Sequence, residues 1–423
     1  MRIPPGHNIQ CSKGHPKAND VDRLPRVPLL LSYSGYTLPE KDELWLYHVL
    51  QQLRDRVLDI NLHLPPSILD KIVAHMDQHF PILEDLSLSY TENVHSLTLP
   101  KAFLAPNLCD LTLPNISPPR RLWLLTPSVS LVTLQFKNIQ TSGYFRPSLL
   151  VARLRSSPQL LDLQIYFPTP IPRPSNETEL LGQQGAPVTL PSLRRLWFTG
   201  VSTYLESLVA QIRVPLLEEL HITLFNQIAF ALPHLFHLVN ITNAFELPGA
   251  SISFGLDEVA ISTFAYVDTG VMSGIRSPLN LHVRCKPFDW QIDCAAQICH
   301  GLIPALSCVG ELKLYYTSKE KISSELRNGG IDSATWHDLL RPFTGVKDLD
   351  ISSPLLEELS RALQEDEVGS DPGFLPNLGS ITAKDNLFTS FINTRKVAGR
   401  SIRFIEDANP QLPFIQVSPL PRT

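Results

Sequence analysis

The sequence predicts an α/β fold in which short parallel strands follow one another in a single repetitive ribbon with helices on the outer side. Three observations predict it. The phrase Pro-x-Leu-x-x-Leu-x-(Leu/Ile/Phe) recurs at Pro106–Leu113, Pro158–Ile165, Pro191–Phe198 and Pro215–Ile222. Looser copies stand at Ile82–Leu88, Leu131–Phe136, Leu256–Ile261, Val309–Leu314, Val346–Ile351 and Leu378–Ala383. The two closing apolar residues of each copy are two apart, which puts both on one face of a strand and the residue between them on the other. While most units later in the chain stretch into the thirties and imply extra return structure on the outer side, three spacings are short: Leu83 to Leu108 is 25 residues, Leu108 to Leu131 is 23 and Leu193 to Leu217 is 24. That phrase at that period is the strand-bearing half of a leucine-rich repeat. The expected architecture is a right-handed leucine-rich-repeat solenoid, or horseshoe, with parallel strands on the concave face and helices outside.

Along the chain, residues 1–24 mix Pro, Gly, His and Lys without period and are expected to be disordered. An irregular solenoid is expected over 25–405. It opens with a strand-like run at Val27–Tyr33 and an amphipathic helix from Pro39 to Arg56. Thr37 with Glu40 suggests a capping box, and Leu44, Leu46, Val49, Leu50 and Leu53 suggest the buried stripe. Val57–Leu62 alternates like a strand, and Ser67–Phe80 reads as a helix. Outer helices are expected at Thr203–Arg213, Phe288–Leu306, Ser333–Phe343, Leu355–Glu367 and Lys384–Val397, each with apolar residues at helical spacing. The gap from Leu256 to Val309 is 53 residues, long enough to hide a degenerate unit near Leu279-Asn-Leu281. A long exposed loop is expected at 167–190, an acidic one at Gln364–Pro372, and a flexible Pro-rich tail at 406–423. Tyr33–Arg56 would cap the front of the stack, and the last helix with Ile402–Ile405 the rear.

Bulk properties exclude several classes. Hydrophobic residues make up 43% and charged residues 18%, which is the balance of a core-rich folded protein. A formal charge of −5 without a Lys/Arg block argues against nucleic acid. The most apolar run, Ile228–Val239, is broken by Pro233, His234 and His237 and is too short to span a bilayer, so no membrane association is expected. The N-terminal residues contain no apolar run of the signal-peptide kind, and six cysteines in so long a chain are no disulfide scaffold, so a cytoplasmic or nuclear protein is expected. The sequons at Asn115, Asn176 and Asn240 then read as chance.

Chemistry-bearing patterns are sparse. There is no Gly-x-Ser-x-Gly elbow, no phosphate-cradling glycine loop and no clustered histidine, so no catalytic residue is assigned and no enzyme is expected. Cys285, Cys294, Cys299 and Cys308 lie near His282 and His300, but their x8–x4–x8 spacing lacks the tight knuckles of structural zinc. Cys294 and Cys299 sit in an apolar helical pattern and read as small hydrophobes, so no metal and no cofactor are expected.

The candidate binding residues lie between the leucines. The position before the second Leu of each phrase holds Asp85, Asp110, Asp162, Glu219, Glu258, Glu311 and Asp348, with Arg195 as the outlier. On adjacent strands these would form a negative stripe, either one that steers a basic partner or a column that is merely solvated. The next solvent-facing column holds Gln164, Trp197 and His221, with Tyr166 on the same face and Tyr315 as a possible extension. A Trp flanked by Tyr, Arg and His has hot-spot composition. The alternatives are a Trp covered by the 167–190 loop and a Tyr315 packed on a neighbouring loop.

Three passages carry a resemblance to a known family: Leu29–Gly35; Pro191–Phe198 running through Tyr204–Val209 to Pro215–Leu220; and Leu387–Arg395 with Gly399–Ile402. From about residue 27 to 405 the chain resembles the leucine-rich-repeat region of the F-box-like proteins expanded in mushroom-forming (basidiomycete) fungi. The resemblance implies a substrate receptor of a cullin-type ubiquitin ligase, whose F-box docks on the ligase adaptor while the repeats hold a protein substrate. An F-box would precede the repeats. Leu64–Val73 opens like one but runs directly into Pro81–Leu88, and is read as the return helix of a repeat. The F-box is therefore expected to be lost or to lie upstream of this start. The rival expectation is a leucine-rich-repeat interaction scaffold unrelated to ubiquitination.

Overall fold

The computed structural model describes residues 28–91, 99–116, 118, 122–125, 129–140, 143–168, 186–225, 231–242, 245, 247–268, 273–317, 333–365 and 375–406. The expected disordered segment at 1–24, most of the 167–190 loop, the acidic loop from residue 366 and the tail from residue 407 fall outside them. The described chain is α/β, with mostly parallel strands and helices between them. It clusters into two compact units: one runs up to Gly200 and includes Ser207–Leu217, and the other takes Val201–Glu206 and the residues from Glu218 onward.

In the first unit, β1 (Leu29–Ser34), β2 (Val57–Leu64), β3 (Asp85–Tyr90), β4 (Asp110–Pro114), β5 (Thr133–Lys137), β6 (Asp162–Tyr166) and β8 (Arg195–Gly200) pair in that order, all parallel. The short β7 (Val188–Thr189) pairs instead with β9 (Ile212–Arg213). Each strand keeps the two-residue period of its phrase, so register carries the leucines into one column. Ile60, Leu86, Leu111, Leu134, Leu163 and Leu196 are successive partners, none more than 1% exposed. Burying each contributes roughly 1.5–3 kcal/mol, and only because a neighbouring strand covers it.

A repeated main-chain fork fixes that register. The N–H groups of Cys109 and Asp110 both donate to the Glu84 carbonyl, at 2.7 and 2.9 Å. Val132 and Thr133 do the same to Cys109, Leu161 and Asp162 to Val132, and Arg194 and Arg195 to Leu161, all within 3.1 Å. After β4 and β5 the chain turns through Asn115 (φ 62°) and Asn138 (φ 57°), left-handed conformations that asparagine tolerates. The Asn138 amide donates to the Asn115 side-chain oxygen at 2.7 Å and ties the two turns together.

Helices lie on the leucine face. Tyr90, in line with Leu86 and Leu88, donates its hydroxyl to Asp70 of α2 (Pro66–Ala74) at 2.6 Å. α2 returns the chain from β2 to β3, as expected for Leu64–Val73, but it stops at Ala74 rather than Phe80. The helix before it, α1 (Glu40–Gln52), departs from expectation at its start and along its stripe. Pro39 is the N-cap and makes no side-chain bond, so the Thr37/Glu40 box does not form; three acidic residues in the first turn face the helix dipole instead. Leu44 is 60% exposed, while Leu46, Val49 and Leu50 are buried. α3 (Pro147–Leu154), which was not anticipated, begins on a proline as α2 does; its missing N–H costs nothing at a first turn. α4 (Ser202–Val209) is shorter than the expected Thr203–Arg213, because Ile212 and Arg213 leave to form β9.

The second unit departs further. Its strands are β10 (Glu219–Phe225), β11 (Gly249–Phe254), β12 (Glu258–Asp268), β13 (Ser273–Arg276), β14 (Leu279–Arg284), β15 (Glu311–Tyr316), β16 (Asp348–Ile351), β17 (Ser380–Ala383) and β18 (Arg403–Glu406). The degenerate unit at Leu279–Leu281 is real: β14 pairs parallel with β10, Leu220 opposite Leu279 and Ile222 opposite Leu281. The copy at Leu256–Ile261 is different. It lies in β12, which is antiparallel to β14, β11 and β13. The spatial order is β10-β14-β12-β11-β15-β16-β17-β18, with β13 on the far end of β12. The apolar column survives the reversal: Leu281, Ile261, Ile252, Leu314, Ile351 and Ala383 are successive partners. The fork recurs where Gly310 and Glu311 donate to Pro248, Lys347 and Asp348 to Gly310, and Gly379 and Ser380 to Lys347.

Its helices are α5 (Pro233–Ile241), α6 (Phe288–Gly301), α7 (Ile303–Leu306), α8 (Ser333–Leu340), α9 (Leu356–Glu365) and α10 (Thr389–Val397). α5, also unanticipated, starts on Pro233, and the buried Glu206 carboxylate caps it by accepting from the His234 and Leu235 N–H groups at 3.1 and 2.9 Å. Phe254 of β11 meets Phe288 of α6 and Trp336 of α8 edge-on, so these helices too sit on the leucine face. After α10, β18 adds the last strand of the unit, paired parallel with β17, over most of the Ile402–Ile405 run.

Candidate interaction surface

The face opposite the leucines carries the candidate residues. In the first unit, register brings Asp162 opposite Arg195, Gln164 opposite Trp197 and Tyr166 opposite Thr199. These five candidates therefore sit side by side on β6 and β8, but three of them are not solvent-facing. Asp162, Gln164 and Tyr166 are 5%, 8% and 9% exposed, Arg195 is exposed and Trp197 half-buried. Neighbouring strands supply the cover. The Arg195 guanidinium lies 3.1 Å from an Asp162 oxygen, the Gln164 amide donates to both Asp162 oxygens at 3.2 Å, and Lys137 of β5 stands 5.9 Å from the Tyr166 ring centre.

The electrostatics follow from that cover. Burial raises the Asp162 carboxyl above its ordinary value and outweighs the opposing pull of Gln164, Arg195 and Lys137. Burial likewise lowers the Lys137 ammonium, against the Asp162 charge, and raises the Tyr166 hydroxyl. The result is a fixed layer, Lys137–Tyr166 and Gln164–Asp162–Arg195, with Arg195 exposed and Trp197 half-buried beside it, its indole nitrogen covered.

The carboxylate stripe is real over part of its length. Asp59, Asp85 and Asp110 are successive register partners on β2, β3 and β4; Thr133 then interrupts, and the column ends on Asp162 and Arg195. Asp85 is bonded to Asp110, and its carboxyl is pushed up to about 7 by burial first, then by that bond and by repulsion from Asp110, Asp59 and Glu84. Burial also raises Asp59.

In the second unit, Glu219 and His221 are half-buried on β10. The His221 Nδ1 lies 3.1 Å from the Asn280 side-chain nitrogen; that amide also donates to the Ser277 carbonyl at 3.3 Å, so it donates to His221, which is held neutral. Burial, then the neighbouring His282, pushes His221 down to about 4. Tyr315 is half-buried on β15, separated from β10 by β14, β12 and β11, so it does not extend the His221 column. Glu258 also leaves the expected stripe: it pairs opposite Arg284 on the reversed strand, within 4.0 Å of His282. Glu311 and Asp348 remain partners. Around Tyr315 the sequence reading missed Tyr266, whose hydroxyl donates to Glu311 at 3.2 Å, and Lys313, which bonds Glu311 at 3.0 Å and stands 5.0 Å from the Phe264 ring centre. Burial, the largest influence on Lys313, lowers its ammonium, but Glu311 and Tyr266 carry it above its usual value.

Asp59, Lys137 and Asn280 were also missed, and His282 was noted only for its place near the cysteines. Each has the right strand parity, at an even spacing from a residue already singled out or from its counterpart, so alternation alone could have found them. Among the described residues, no group of three or more His, Cys, Asp or Glu side chains is arranged to hold a metal ion. Among them too, no helix is long and apolar enough to cross a membrane. No family model matches the chain, and comparison with curated proteins finds no match.

Proposed function

We propose that this chain is a protein-recognition module: a right-handed leucine-rich-repeat solenoid that binds a protein partner through its polar strand face. The observation that carries the reading is the β6–β8 layer, where an exposed Arg195 and a half-buried Trp197 stand on a buried, mutually bonded base of Asp162, Gln164 and Tyr166. Trp and Arg on a rigid base are the composition of binding hot spots, because little side-chain freedom is lost on contact. By its resemblance to the F-box-like proteins, the bound protein is a substrate of a cullin-type ubiquitin ligase, met in the cytoplasm or nucleus, and the ligase adaptor is a partner only if an F-box lies upstream. The second reading, an interaction scaffold outside ubiquitination, rests on α2, which returns the chain between two paired strands where an F-box opening was read.

Affinity capture from native cells with the wild-type chain and with Trp197→Ala tests the binding reading. The expected outcome is a partner whose affinity falls roughly 30-fold in the variant while the melting curve stays in place. A partner bound equally by both proteins would overturn the assignment of this surface. Recovery of the ligase adaptor with the full-length native protein favours the receptor reading; stable partners without it favour the scaffold.

A further inference from the structure

A pair of thiols outside the recognition face suggests a modification site. Cys285 follows β14 directly, and Cys294 lies in α6; the two thiols are hydrogen-bonded to one another. Both are buried, Cys285 at 4% exposure and Cys294 at 0%. Their approach is enforced by a neighbour. Gln291, one helical turn before Cys294 and fully buried, donates its amide to the Cys285 carbonyl at 3.0 Å and to the Gly255 carbonyl at 2.9 Å, and accepts from the Gly255 N–H at 3.2 Å. The same face of one helix thus holds the Cys285 main chain and presents the second sulfur.

We propose that Cys285 and Cys294 form a reversible disulfide when the protein meets a hydroperoxide, making this corner of the second unit an oxidation site. In the first step the Cys285 sulfur attacks the peroxide; the O–O bond breaks, an S–O bond forms, and the departing oxygen takes up the Cys285 proton and leaves as water from hydrogen peroxide or as an alcohol from an organic hydroperoxide. In the second, the Cys294 sulfur attacks the Cys285 sulfur; the S–S bond forms, the S–O bond breaks, and the sulfenic oxygen departs as water with the Cys294 proton. Two thiols lose two electrons and one peroxide gains them. The roles suit the pair, because the bond from Cys294 lowers the Cys285 thiol against the opposing effect of burial, while that contact and burial raise Cys294. Cys299, on the same helix and fully buried, has its thiol raised by burial and is expected to stay inert.

The experiment treats the reduced full chain with hydrogen peroxide, blocks remaining thiols with N-ethylmaleimide and maps the peptide that follows Arg284. Exposed Cys308 reports the oxidant dose. The expected result is a loss of about 2 Da bracketed between Cys285 and Cys294, reversed by dithiothreitol, with a melting temperature higher by roughly 5 °C. Cys294→Ala should abolish the cross-link and leave Cys285 as a sulfenic acid trapped by dimedone. Both thiols still open to alkylation once Cys308 is oxidised would overturn the proposal. So would a cross-link that appears only in urea, or one that joins Cys285 to Cys308.

Discussion

At the scale of single residues, the two faces of a strand are set by alternation, and adjacent positions should respond oppositely to change. Leu196 is fully buried and its neighbour Trp197 is half-buried on the polar side. Leu196→Asp places an unpaired charge among stacked leucines and should cost more than about 4 kcal/mol, seen as a collapsed thermal transition. Trp197→Ala should leave the melting temperature within a few degrees. Asp85 gives a pH signature. Its folded-state value, about 7, is above that of a free carboxyl. The folded state therefore holds the proton more tightly, and the stabilisation this group gives is complete at low pH and lost as pH rises through about 7. Asp85→Asn keeps a donor toward Asp110 without the charge. It should raise stability by about 1 kcal/mol at pH 8.5, solvent screening included, and change little at about pH 3, below the free-carboxyl value, as read from melting curves at the two values.

At the scale of elements, the strands were legible and their directions were not. Each phrase became a strand on its expected residues because the two-residue period and the burial it imposes coincide. Alternation is blind to polarity, however, so Leu256–Ile261 looked like any other copy although β12 runs backwards. Helices α3 and α5 are absent from the expected elements; each begins on a proline, Pro147 and Pro233, and a proline at a first turn starts a helix rather than breaking one. The candidate residues were placed on the correct face, but the burial of Asp162, Gln164 and Tyr166 was not legible. Their cover comes from Lys137 and Arg195, and only register reveals which side chains meet across a gap of some thirty residues. The β11–β12 pair offers a test of its packing. A Cβ on Gly249 would stand 2.2 Å from the Phe264 ring, which lies across that position. Gly249→Ala should cost about 1–3 kcal/mol and Phe264→Ala should also destabilise, but the double variant should lose less than their sum in a denaturation cycle.

At the scale of the whole molecule, the forked main-chain bonds matter more than any side chain on the polar face. Each fork asks only for two successive N–H groups and a carbonyl, supplied by any residues except proline at the donating positions. Alignment of one strand with the next is thus written in atoms common to every amino acid. Ser87, Thr112 and Gln135, half-buried and outside the Asp162 network, should accept joint replacement with a shift in melting temperature below about 2 °C. A scaffold whose geometry is indifferent to the letters displayed on it lets selection rewrite those letters freely. New binding preferences can then arise by substitution alone, without a new fold having to be found each time.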